Sequence, residues 1–167
     1  MKAFITAAAA LLAAAPLAAE EQAPELPPAQ AEVTAAAEAF MFAIGNPNRR
    51  VLADHMLPEG MIFVHNRMNP DAHRVDVIPV AEHLENWTAR TDRYIEQMRF
   101  ATVLVDGDMA QVWGPYRFLR NSEVSHCGIN SLSLVKTDGG AWKVANTSFT
   151  MEPPSECKRL SAPGDGE

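Results

Sequence analysis

Between residues 31 and 44 the apolar positions recur at helical spacing. Val33, Ala36, Ala37, Phe40, Met41 and Ile44 fall on one continuous stripe. This predicts a first helix over 31–44, stopped by Gly45 and the Asn46-Pro47 pair. Asn48 can cap a short second helix from Arg49 to about His55, which the Leu57-Pro58-Glu59-Gly60 stretch closes. Met61 to His65 reads as a short strand, and Arg74 to Ile78 alternates like an edge strand. Pro79 suits the first turn of a third helix, Val80 to Arg90, with Leu84 and Trp87 on one side.

Beyond residue 90 the helical period gives way to alternation. Tyr94, Met98, Phe100 and Leu104 share one parity, and Arg93, Gln97 and Arg99 take the other. Asp106-Gly107-Asp108 is a hairpin turn, followed by a strand from Ala110 to Arg120 and another from Cys127 to Lys136. The turn Thr137 to Gly140 leads into a last strand, Ala141 to Met151. Helices with two short strands, followed by a long helix-free meander, define an α+β chain with helices packed on one face of a curved antiparallel sheet.

The two ends change this picture. Lys2, an apolar run over 3–15 and the small residues Leu17-Ala18-Ala19 are the parts of a secretory signal peptide, so residues 1–19 are expected to be removed. The competing reading, an uncleaved anchor helix, needs about 20 strongly apolar residues, and this run is short and alanine-rich. No cysteine lies near residue 20 to carry a lipid. Residues 20–29, rich in proline and glutamate, read as a flexible linker, residues 30–157 as one domain, and 158–167 as a disordered tail. The expected location is therefore outside the cytoplasm, in the periplasm, with no stable membrane anchor after cleavage.

The formal charge of −7 becomes one unit more negative when Lys2 is lost. An acidic chain repels phosphate backbones, which argues against nucleic-acid partners. Cys127 and Cys157 are the only cysteines, and in an exported chain such a pair reads as one disulfide. A catalytic thiol assisted by His126 is disfavoured, because adjacent side chains on a strand point to opposite faces. His55, His65, His73, His83 and His126 show no metal-ligand spacing, so no metal is expected. With no phosphate-cradling glycine loop or nucleophile elbow, nucleotide-dependent and serine-hydrolase chemistry are disfavoured, and no cofactor is expected.

Three features together resemble the nuclear transport factor 2-like superfamily, which includes SnoaL-like polyketide cyclases, scytalone dehydratase and ketosteroid isomerase. They are the element order, the Leu134–Val144 hairpin with a tryptophan after its glycine turn, and the Trp113-Gly-Pro-Tyr-Arg-Phe118 strand followed by His126-Cys-Gly. The likeness spans about residues 30–152 and is greatest to the exported, functionally unassigned members. It implies a cone: a sheet curled around the first helix, with a pocket at the open end. It also implies that a homodimer through the exposed sheet face is to be expected. Fold alone does not assign activity.

Against that shape, one face of the 127–136 strand carries His126, Asn130, Leu132 and Leu134, polar at one end and apolar at the other. The last strand repeats the trend with Trp142 and Val144, then Asn146, Ser148 and Thr150. His126, Asn130, Asn146 and Ser148 are therefore expected at a polar pocket mouth over an apolar floor, binding an unknown small molecule. Trp113, Tyr116 and Arg117 join them as candidates, with Pro115 signalling a bulge that re-aims its neighbours. Which of Tyr116 and Arg117 faces inward is left open by the mixed faces of that strand. His65 lies near the position where isomerase-like relatives carry a carboxylate base, and His65 and His126 are the candidate general bases of an isomerase, dehydratase or cyclase. The aspartate base of those relatives is absent there. A third reading is an accessory module that pairs its sheet with another protein.

Overall fold

The computed structural model describes residues 26–164. The expected signal peptide, residues 20–25 of the expected linker and the last three residues lie outside that range. Helix α1 (Pro28–Gly45) is followed by a 3-10 helix (Arg49–His55), strands β1 (Met61–Asn66) and β2 (Arg74–Pro79), and helix α2 (Val80–Thr88). Strands β3 (Tyr94–Met98), β4 (Thr102–Asp106), β5 (Met109–Arg120), β6 (Glu123–Lys136) and β7 (Trp142–Met151) complete one sheet.

The sheet order is β2-β1-β7-β6-β5-β3, with β4 continuing along β5 beside β3. Every pairing is antiparallel except β1 with β7. The sheet is curved and open, and α1 lies against β3, β4, β5 and β7. This is the α+β class expected from the element order, in the cone shape that the resemblance implies.

The α1 stripe faces the sheet: Val33, Ala37, Phe40, Met41 and Ile44 are buried, and Ala36 packs against them. They meet Val112, Leu132, Leu134 and Val144 from the meander, together with Leu52 and Met56. Each large side chain so buried stabilises the fold by roughly 1.5–3 kcal/mol. Asn48 caps the 3-10 helix as expected, its side chain accepting from the Arg50 N–H. The turns at Gly107 and Gly140 both use positive φ, 59° and 82°, which favours glycine.

Three bulges depart from uniform alternation: one leaves Ser125 extra in β6, between the Phe118–His126 and Leu119–Val124 pairs, and the other two change which residues face inward. Opposite Gly114 and Pro115, the three residues 99–101 fill a gap between the Met98–Tyr116 and Thr102–Trp113 pairs. The extra residue reverses parity, so Val103 and Val105 pack inward and Leu104 is 61% exposed. The single face expected for Tyr94 through Leu104 is corrected accordingly. The Pro115 signal thus marks a bulge on the partner strand. The second lies in β7, where Leu134 pairs with Val144 but Ser133 pairs with Asn146, leaving Ala145 extra.

The ends of the domain also differ from expectation. Pro28 opens α1, its fixed φ suiting a first helical position, so the helix begins inside the stretch read as linker. Residues 158–164, read as disordered, form turns against the back of the sheet. Ala162 is buried beside Cys127 and Cys157, and Leu160 packs on them. The two cysteines are joined in a disulfide, with Cα atoms 5.6 Å apart, and the bridge ties this segment to β6.

Candidate functional site

Inside the cone lies a cavity of about 260 Å³. Its apolar wall comes from Phe40 and Ile44 of α1, Ile62 and Val64 of β1, and Phe149 and Met151 of β7. Leu52, Met56 and Ile78 extend that wall. The polar groups on it are few: His83, Arg90, Glu96, Tyr116, His126, Asn130 and Thr147. An apolar cavity with a few placed polar groups is the usual composition of a small-molecule site.

Three of these groups form a chain across the sheet. Thr147 donates its hydroxyl to Asn130 Oδ1 at 2.9 Å, and Asn130 Nδ2 donates to Glu96 Oε1 at 3.0 Å. This orders the Asn130 amide, with oxygen toward Thr147 and nitrogen toward Glu96. Glu96 Oε2 has no hydrogen-bond partner among the described residues. Burial pushes the Glu96 carboxyl up to about 7, with the Asn130 hydrogen bond opposing the rise.

His126 stacks on Phe118, with ring centroids 4.8 Å apart, and its Nδ1 lies 3.1 Å from Ser125 Oγ. Burial lowers its pKa to about 4, so the imidazole is neutral at pH 7. Tyr116 faces inward and its hydroxyl donates to the Thr150 carbonyl at 2.8 Å, while burial holds the phenol neutral. Arg117 takes the opposite face, buried beneath Gly164 of the C-terminal segment.

A second polar group gathers around Trp87. His83 stacks on its ring at 5.5 Å, and the guanidiniums of Arg49 and Arg90 lie 5.7 and 5.1 Å from its centroid. Arg49 is held by the carbonyls of Ile44, Asn46 and Asp92. The His83 pKa is lowered to about 4, by burial first and then by the Arg90 charge.

Of the residues expected at the mouth, the cavity brings together His126, Asn130 and Tyr116. The β7 bulge sends the others away: beyond Ala145 the inward residues are Thr147, Phe149 and Met151, while Asn146 and Ser148 lie on the outer face. There Asn146 Oδ1 accepts from the Met61 N–H at 2.9 Å and anchors the start of β1. Ser148 Oγ pairs with His65 Nε2 at 3.0 Å, so His65 also faces away from the cavity. Trp113 is 52% exposed on the outer face. Among the described residues no cluster of three His, Cys, Asp or Glu could hold a metal.

Glu96 is the principal group not anticipated from sequence. It shares the parity of Tyr94 and Met98, and a lone carboxylate on the apolar face of a strand was the available signal. Thr147 was hidden by the bulge. His83, Trp87 and Arg90 needed the packing of α2 against the cavity.

Comparison with solved structures identifies the fold as nuclear transport factor 2-like. A ketosteroid isomerase-like protein from Erwinia carotovora atroseptica superposes with a TM-score of 0.55 at 15% identity, covering 75% of this chain and 98% of its own. A nuclear transport factor 2-like superfamily protein from Salmonella enterica serovar Typhimurium gives 0.58 at 14% identity, covering 83% and 97%. A nuclear transport factor 2-like protein of unknown function from Shewanella baltica gives 0.52 at 14% identity, covering 74% and 95%. No protein-family model matches the sequence, and no curated protein matches it. Likeness at this identity establishes the fold and leaves the chemistry to the residues.

Proposed function

We propose that this chain is an exported protein that binds a small, mainly apolar molecule in its cone. The observation that carries the reading is the cavity of about 260 Å³, whose apolar walls enclose the Glu96–Asn130–Thr147 chain. Its size lies below the usual 300–1,000 Å³ of drug-sized sites, which favours a compact ligand. The buried disulfide supports export to an oxidising compartment. No described helix is long and apolar enough to cross a membrane. Titration calorimetry with neutral 3-phenylpropan-1-ol tests the pocket, with one saturable site expected in the native protein. The cavity-narrowing Val64→Phe variant, checked for folding by circular dichroism, should weaken binding at least ten-fold. No binding, or binding unchanged in the variant, removes the reading.

A second reading is proton-transfer catalysis of the isomerase or dehydratase type. It is favoured by a carboxyl whose pKa near 7 lets it both accept and donate a proton at neutrality. In this reading Glu96, rather than His65 or His126, is the base. Proton exchange at the carbon next to the carbonyl of 4-phenylbutan-2-one in deuterated water would then be accelerated by the native protein and not by Glu96→Gln. Equal rates for the two dismiss it.

The homodimer and accessory-module readings draw on the exposed Leu104, Met109 and Trp113 of the outer face. Sedimentation giving a monomer mass at high concentration would dispose of the dimer.

A further inference from the structure

The structure also bears on which class of small molecule the cavity accepts. Trp87 is 4% exposed and lines the cavity, yet its Nε1–H is buried with no hydrogen-bond partner among the described residues. Leaving such a donor unsatisfied is costly, so a buried N–H on a cavity wall invites an acceptor that the described residues do not supply.

Arg90 stands beside it. Its side chain is exposed and also lines the cavity, which puts it at the rim. Its guanidinium is held over the rings of Trp87 and Tyr94, at 5.1 and 5.8 Å from their centroids. Among the described residues it has no carboxylate partner. The nearby Asp92 carboxylate is already engaged by Arg120, Asn121 and the Tyr94 hydroxyl. A second guanidinium, that of Arg49, approaches the same two rings and is satisfied only by backbone carbonyls. This rim therefore combines uncompensated positive charge with an unused donor, and the wall behind it is apolar.

We infer that the ligand is an amphipathic monocarboxylate. Its carboxylate is received by the Arg90 guanidinium and the Trp87 Nε1–H, and its apolar body lies against Phe40, Ile44, Val64 and Phe149. A guanidinium presents paired N–H donors that match the two oxygens of a carboxylate. A single free guanidinium with one indole N–H matches one negative charge better than a dianion. The aliphatic and aromatic wall leaves few partners for a polar body, so the remainder of the ligand is hydrocarbon or aromatic.

This inference rests on the pocket reading, and a pair of probes of one shape separates the two. Calorimetry compares 3-phenylpropanoate with 3-phenylpropan-1-ol on the full chain with its disulfide intact. The acid is expected to bind at least ten-fold tighter than the alcohol. Arg90→Gln should reduce the preference to less than three-fold, weakening acid binding far more than alcohol binding. Trp87→Phe, which keeps the ring and removes the N–H, should weaken acid binding several-fold more than alcohol binding. Equal binding of acid and alcohol by the native protein, or a preference that survives Arg90→Gln, overturns the monocarboxylate assignment and leaves the pocket standing. Failure of both probes to bind overturns both.

Discussion

Asn130 donates its amide Nδ2–H to Glu96 Oε1 at 3.0 Å, reaching across β5, the strand that lies between their own. The bond joins residues 34 apart in sequence. It leaves one carboxyl oxygen without a partner among the described residues, inside an apolar cavity, and that environment decides the ionisation of the group.

Glu96 should make stability fall as pH rises. Its carboxyl loses its proton near 4.5 when unfolded and near 7 when folded, so its contribution is fully present below 4.5 and lost as pH rises through 7. The shift corresponds to roughly 3 kcal/mol. Glu96→Gln is expected to exceed the native protein in urea stability at pH 8 by a few kcal/mol, with the difference vanishing near pH 4. A variant less stable at pH 8 would contradict this.

His83 and His126 act in the opposite direction. Each takes a proton near 6.5 when unfolded but only near 4 when folded, so stability present above 6.5 is lost as pH falls through 4. His126→Phe, which keeps an aromatic ring stacked on Phe118, should remove roughly 3 kcal/mol of the acid sensitivity between pH 7 and 4. Denaturant titrations at the two pH values measure it, and an undiminished acid sensitivity would rule it out.

The disulfide closes a separation of 30 residues. Replacing Cys127 and Cys157 by alanine should cost roughly 3–4 kcal/mol on the chain-entropy estimate. It should also speed amide exchange across residues 158–164, which the bridge holds against β6. Unreduced, denatured protein that presents two alkylatable thiols would refute the bridge.

Glycines separate by what surrounds them. A Cβ at Gly128 would lie 1.9 Å from the Thr150 carbonyl oxygen, whereas one at Gly139 meets nothing nearer than Thr137 Oγ1 at 3.9 Å. Gly128→Ala is expected to destabilise by more than about 2 kcal/mol through backbone displacement, and Gly139→Ala by less than about 0.5. Thermal melts that rank them equally would contradict the close approach.

Much of the architecture is legible in the chain alone. The helical stripe of Val33 to Ile44, the Asn48 cap and the turns at Gly107 and Gly140 depend on local periodicity and local backbone preference. The cysteine pairing follows from there being two cysteines in a chain read as exported. The cavity is less legible. His126 and Asn130 can be placed by parity, because β6 runs without interruption from them to the core, whereas the mixed faces of β5 left Tyr116 and Arg117 undecided until the structure turned Tyr116 inward.

Sequence by itself therefore determined the element order, the α+β class and which strand positions alternate. Tertiary structure decided which alternating set faces the cavity. One extra residue at Ala145 turned Asn146 and Ser148 outward and Thr147 inward, and another at 99–101 exposed Leu104. Alternation is a property of one strand, whereas a bulge is a property of two strands in register. Glu96 shows the same division: its type is written in the chain, but its near-neutral ionisation comes from burial among elements distant in sequence.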